Sequence, residues 1–295
     1  MRKILDTQGY WGPTECWGFG QDTEGYRILQ GKLKSLGYYV KFLIMPYTTN
    51  QNSNLPAVIH ENPDLFLGAY LQINPNEDYT SMMSYSKPET IERLIRSDKE
   101  DSLVGLKLHT SLTKTRVDDP ILDEFSRIAV DHDIPILFHC AASGHDFTRS
   151  DYFRNLLTKH PDLKIICAHY GGLNERYILG DYFEEEGYIA GYVELVKDFR
   201  KNVWLNTSGL NGEKRRWNLI KEGEKTVQTP YTEYDPNRWK SLFSKTIDGI
   251  KDNLVFAGDF PELWWWTTYP VNTSSLEVQH NVLYENTKNL FDLRW

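Results

Sequence analysis

Apolar residues along the chain gather into eight short runs, and between most of them the apolar positions spread out to helical spacing. The runs are "KILD" (3–6), "YVKFLIM" (39–45), "LFLGAYLQI" (65–73), "LVGLKLH" (103–109), "PILFHC" (135–140), "LKIICAH" (163–169), "NVWLNTS" (202–208) and "NLVFAGD" (253–259). Runs this continuously hydrophobic predict strands covered on both faces, as in a parallel sheet. Helices are predicted over "ETIERLIRSDKE", "PILDEFSRIAVDHD", "SDYFRNLLTKHP" and the closing "SSLEVQHNVLYENTKNLFDL". Asp119 directly before Pro120 is a helix-start signal. Eight strand–helix alternations fit an α/β (β/α)8 TIM barrel better than a doubly wound sheet. A single domain over residues 1–295 is therefore expected. Residues 175–252 are long and charged, and are expected to carry the seventh crossover and a surface insertion.

Composition narrows the class. The chain has 295 residues, 40% hydrophobic and 25% charged, which is ordinary globular usage. A net charge of −8 argues against a nucleic-acid partner, which needs a basic footprint. No run approaches the length of a membrane span. The first residues lead directly into a strand-like run without a signal-peptide core, and three cysteines (Cys16, Cys140 and Cys167) are too few for a disulfide framework. A cytoplasmic location is the expectation.

In a barrel of this kind, chemistry sits at the C-terminal ends of the strands. Here those ends are polar: Asp6, Gln8 and Tyr10 on the first strand, Lys107 and His109 on the fourth, and His139 with Cys140 on the fifth. His169 follows on the sixth, Asn206 and Ser208 on the seventh, and Asp259 on the eighth. Residues two apart in an extended chain share a face, so Asp6, Gln8 and Tyr10 are expected to form one wall. Either histidine alone would more often be a hydrogen-bonded core residue. Two histidines and an aspartate at equivalent strand tips make a candidate catalytic set of His139, His169 and Asp259. Two imidazoles and a carboxylate form three sides of a zinc-type site open to water. Without metal they supply a base, an acid and an orienting partner. Both readings stay open. Lys107, His109 and Asn206 are candidates for substrate binding. Trp264, in "PELWWWTTYP" (261–270), belongs either to an aromatic substrate wall or to rim packing.

At these residues the chain resembles the amidohydrolase superfamily, in particular its amidohydrolase-2 branch of metal-dependent hydrolases and non-oxidative decarboxylases. "HENPDLFLGAYLQINP", "LVGLKLHTSL", "DDPILDEFSRIAVDHDIPILFHC", "LLTKHPDLKIICAHYGG", "NLVFAGDFP" and "VLYENTKNLFDL" are similar to successive segments of that branch, in the same order. The resemblance implies that His139 is a metal ligand, that His169 polarises substrate or activates water, and that Asp259 is a metal ligand and general base. It departs from the pattern in the first strand, where the family has Asp-x-His-x-His and this chain has "DTQGY". Asp6 keeps its place, but Gln8 and Tyr10 stand where both histidines would be. An amide or a phenol is a poor zinc ligand beside imidazole, whereas both hydrogen-bond a substrate carbonyl or carboxylate well. A divalent, zinc-like metal is thus expected to be weakly bound or absent, with Gln8 and Tyr10 turning open polar ends to the substrate. The leading expectation is hydrolysis of a C–N or C–O bond in a small polar or aromatic molecule. Decarboxylation of an aromatic or unsaturated acid is the same-fold alternative, and a non-catalytic binding protein is the third. Barrels of this kind often pair, so a homodimer is also expected.

Overall fold

Each of the eight apolar runs contains a strand, and the strands hydrogen-bond in chain order into one parallel sheet. The computed structural model describes residues 2–12, 22–80, 83–140, 147–171, 185–208, 213–222, 225–234, 247, 249–258 and 275–293. The strands are β1 (Arg2–Trp11), β2 (Tyr38–Pro46), β3 (Phe66–Ile73), β4 (Leu103–Leu108), β5 (Ile136–Phe138), β6 (Ile165–Cys167), β7 (Val203–Asn206) and, last in the barrel, β10 (Leu254–Val255). Between β7 and β10 an antiparallel hairpin, β8 (Glu213–Glu222) with β9 (Lys225–Tyr234), forms a separate two-stranded sheet. The barrel's first and last strands are joined where the Thr7 N–H donates to the Phe256 carbonyl at 2.9 Å and the Thr7 hydroxyl to the same oxygen at 2.8 Å. The fold is the expected (β/α)8 barrel.

The helices follow from local signals. Thr23–Ser35 starts at Asp22, whose carboxylate accepts from the Gly25 N–H at 2.9 Å, and it buries Tyr26, Leu29 and Leu33 along one stripe. Asp119 caps the short 3-10 turn Pro120–Leu122, accepting from the Ile121 N–H at 3.0 Å, and the helix Asp123–Asp131 continues from it. The C-terminal run divides into Leu276–His280, a π-helical turn over Asn281–Glu285, and Asn286–Leu290.

Strand alternation separates two apolar layers. Ile4, Phe42, Ile44, Leu71, Leu106, Phe138, Ile165 and Leu205 pack outward against the helices. Leu43, Met45, Tyr70, Leu137, Ile166 and Val255 fill the lumen. Gly105 is required here: a Cβ at that position would lie 2.6 Å from the Tyr70 ring and 3.0 Å from the Pro135 carbonyl.

One expectation about β1 is corrected. Asp6 is in register with Phe42, yet Gly9 is in register with Ile44, so β1 carries one extra residue between them. Such a bulge breaks the two-residue period. Asp6 therefore shares the register of the helix-facing Phe42, while Tyr10 pairs with Met45 and packs on the lumen cluster. Asp6, Gln8 and Tyr10 do not line one face. The bulge is held by the Asp6 carboxylate, whose Oδ1 accepts from the Gln8 N–H at 3.1 Å and from the Gly258 N–H at 2.9 Å.

Candidate active site

Lumen-facing positions at the upper ends of β4 to β7 bring Lys107, His139 and Asn206 together, because each shares the parity of the inward residues on its strand. His169 arrives differently. It lies beyond β6 in a left-handed turn with φ of +55° at His169, +52° at Tyr170 and +80° at Gly171, closed by the Gly171 N–H donating to the Ala168 carbonyl at 3.0 Å. Left-handed backbone costs a non-glycine residue about 1–2 kcal/mol, and such conformations persist where surrounding structure imposes them. Here Asn206 Oδ1 accepts from the His169 N–H at 3.0 Å, and Tyr170 is buried in the outer core.

The two histidines meet. His139 Nδ1 and His169 Nε2 are 3.1 Å apart, with their rings at 79°. The other ring nitrogen of His169 lies 3.0 Å from Ser208 Oγ. Ser208 Oγ donates to Asn206 Oδ1 at 2.6 Å, and Asn206 Nδ2 donates to Gln8 Oε1 at 2.6 Å. A buried chain of polar groups thus runs from β1 through β7 to β5. On its far side His109 stacks on His139, with centroids 3.7 Å apart and planes at 20°, and its Nδ1 lies 3.1 Å from Ser111 Oγ. The Thr110 hydroxyl donates to the His139 carbonyl at 2.7 Å, fixing the strand end that carries the ring.

Two imidazoles of the site, His139 and His109, are disfavoured as cations. Burial, reinforced by His109, His169 and the Lys107 ammonium, holds His139 well below the usual histidine range. Burial, then Lys107 and His169, does the same for His109. Lys107 itself is wholly buried in the lumen. Below the site, burial and the Asp6 carboxylate push the Tyr70 phenol well above its ordinary value.

Most of the expected site residues that are described contact one another or a neighbouring ring. Asn206 is engaged inside the protein: its oxygen takes the His169 and Ser208 donors and its amide donates to Gln8. The amide oxygen of Gln8 accepts that hydrogen bond from Asn206 at 2.6 Å. Tyr10 stacks on Tyr47, with centroids 4.4 Å apart and planes at 16°. Lys107 and His109 do join the histidines at the site. Asp259, Trp264 and Cys16 lie outside the described residues. Tyr70 was not singled out from the sequence, although its two-residue spacing from Gly68 and Gln72 places it on the inward face of β3.

The chain matches the family described as amidohydrolase over residues 52–293. Among solved structures it is similar to a probable 2-pyrone-4,6-dicarboxylic acid hydrolase from Acinetobacter baumannii with citric acid bound (14% identity, TM-score 0.63, covering 98% of this chain and 99% of that one). It is similar to a 5-carboxyvanillate decarboxylase from Sphingomonas paucimobilis (14% identity, TM-score 0.63, all of both chains). A 5-carboxyvanillate decarboxylase from Novosphingobium aromaticivorans, complexed with manganese and 4-hydroxy-3-methoxy-5-nitrobenzoic acid, shares 14% identity at a TM-score of 0.58 over 99% of this chain and 96% of that one. At such identities the likeness is one of fold. A curated match is a valine–tRNA ligase from Psychrobacter arcticus, 22% identical over 238 residues; these are 76% of this chain, and the match spans only 23% of the ligase.

The described residues do not fit a metal of the kind the Novosphingobium structure carries. Both ring nitrogens of His169 are engaged by His139 and Ser208, and the amide oxygen of Gln8 is engaged by Asn206. Among the described residues no group of three or more His, Cys, Asp or Glu could hold a metal ion.

Proposed function

The chain belongs to the amidohydrolase family, and on that premise we propose that it hydrolyses a C–N or C–O bond in a small, carboxylate-bearing polar or aromatic molecule, with His139 as general base. The observation that carries this reading is the buried imidazole pair of His139 and His169, in which burial and the neighbouring positive groups disfavour charge on His139. An uncharged imidazole offers a lone pair to a proton in the reaction but holds no surplus proton to give. Hydrolysis begins with the first need, removal of a proton from water. Decarboxylation ends with the second, protonation of a carbanion.

In the step envisaged, His139 takes a proton from water as the water oxygen bonds to the substrate carbonyl carbon. The C–N or C–O bond then breaks, and the proton held on His139 passes to the leaving nitrogen or oxygen. The Lys107 charge, felt at both His109 and His139, favours the developing oxyanion and a substrate carboxylate. The Acinetobacter and Sphingomonas proteins are named for carboxylated molecules, which supports the same substrate class. Asp259 and Trp264 keep, as proposals, a base or acid role and an aromatic wall.

The test is a panel of carboxylated lactones, esters and amides, 2-pyrone-4,6-dicarboxylic acid included, run in 18O-labelled water without added metal. Ring opening or cleavage with one 18O in the product supports the reading. Release of carbon dioxide from an aromatic acid without label overturns it in favour of decarboxylation. Saturable binding without turnover across the panel would leave a binding protein.

A further inference from the structure

We propose that Gln8, Asn206 and Ser208 are positioning residues that lock the tautomers of His169 and His139, so that the lone pair of the neutral His139 ring lies on Nε2.

The direction of every bond in the chain can be read from donors whose identity is fixed. The backbone N–H groups of His169 and Ser208 reach one side-chain atom of Asn206, at 3.0 and 3.3 Å. A backbone N–H only donates, so that atom is the carbonyl oxygen and the amide nitrogen faces Gln8. The nitrogen donates to Gln8 at 2.6 Å, which makes the receiving atom Oε1. Ser208 Oγ is 2.6 Å from the same Asn206 oxygen, so the hydroxyl spends its single hydrogen there. Ser208 Oγ must then accept: it takes the His169 backbone N–H at 3.2 Å, and His169 Nδ1, 3.0 Å from an oxygen whose hydrogen points elsewhere, must carry a hydrogen of its own.

A neutral imidazole carries one N–H. With Nδ1 protonated, His169 Nε2 is an acceptor and takes the hydrogen of His139 Nδ1 at 3.1 Å. That leaves the His139 lone pair on Nε2. The polarity set at the backbone of β7 is thus transmitted through two imidazoles to the reactive nitrogen. In this chain Gln8 and Asn206 hold the oxygen that orders the relay. The tautomer assignment rests on hydrogen bonds alone, whereas the use of Nε2 as a base rests on the hydrolytic reading above.

The experiment is nitrogen-15 NMR of the full chain with labelled histidine, at a pH above the ordinary histidine range. Long-range proton–nitrogen correlations report which ring nitrogen bears hydrogen. The unmodified protein should show Nδ1–H on both His169 and His139. Ser208→Ala should shift His169 partly or wholly to the Nε2–H form and reverse His139 with it, and Ser208→Thr should restore the original pattern. Where a hydrolysed substrate is in hand, Ser208→Ala should lower kcat by about 10–100-fold with KM little changed, the usual cost of losing a partner that orients a functional histidine. Nε2–H on His169 of the unmodified protein overturns the proposal, and this spectrum needs no variant to fold. Unchanged tautomers in folded Ser208→Ala overturn it as well. The predicted tautomers in a protein that hydrolyses nothing would support the lock and sink only the hydrolytic reading.

Discussion

His139 Nδ1 lies 3.1 Å from His169 Nε2, although the two residues come from successive strands and reach each other by different backbone routes. His139 continues β5 with regular alternation. His169 is swung inward by three consecutive left-handed residues. The contact makes the pair one unit: a change at either ring alters the hydrogen-bonding available to the other. It also occupies the Nε2 lone pair of His169, which ties the metal question to the tautomer question.

The uncharged state of the site predicts how stability follows pH. His109 and His139 have folded-state values below the unfolded value of about 6.5. Below that pH the unfolded chain binds protons that the folded site refuses. Their contribution is therefore complete above about pH 6.5 and is lost as pH falls toward the folded values. The slope is up to about 1.4 kcal/mol per pH unit for each histidine. Urea unfolding of the unmodified protein and of His109→Asn, compared between pH 8 and 5, should show a shallower loss in the variant (pH values roughly bracketing the histidine range). Identical slopes would place His109 outside this linkage.

Gly171→Ala should destabilise the protein by about 1–3 kcal/mol, the usual range for a substitution that forces its neighbours apart. The residue has φ of +80°, and a Cβ there would stand 2.7 Å from a Tyr192 ring carbon. The Tyr192 hydroxyl is itself anchored to the Thr148 carbonyl. Because Gly171 closes the turn that delivers His169, activity should fall together with stability. Chemical denaturation gives the first quantity and turnover the second; unchanged stability would show that the turn relaxes freely.

Much of this molecule was legible in its pattern of residues, for physical reasons. Strands buried on both faces leave continuous apolar runs, and a polar residue at the end of such a run, as at His139 or His169, has little reason to be there except the site. Three things were not legible. The extra residue in β1 breaks the face shared by Asp6, Gln8 and Tyr10, and alternation contains no sign of it. The left-handed turn at His169 is set by Asn206 and by buried packing from distant strands. The hydrogen bond between Gln8 and Asn206 is a pairing across 198 residues, which no local spacing encodes.

Metal content should be low. Protein purified without added metal should contain clearly less than one equivalent of zinc or manganese by elemental analysis, since the first strand offers an amide and a phenol, Gln8 and Tyr10, in place of two imidazoles. Gln8→His combined with Tyr10→His should raise zinc uptake by supplying two imidazoles to the first strand. A stoichiometric metal that survives prolonged chelation in the unmodified protein would contradict this reading of "DTQGY".

The most direct test is the turnover of His139→Gln on whichever carboxylated substrate the unmodified protein hydrolyses, measured alongside its unfolding free energy. Removing a general base typically costs 10²–10⁴-fold in rate, roughly 3–5 kcal/mol in the barrier. The amide keeps a comparable size in a site already rich in hydrogen bonds. The predicted result is a fall of at least about 100-fold in kcat with the fold retained. Turnover at the unmodified rate in a folded His139→Gln protein would contradict the assignment of His139 as the base.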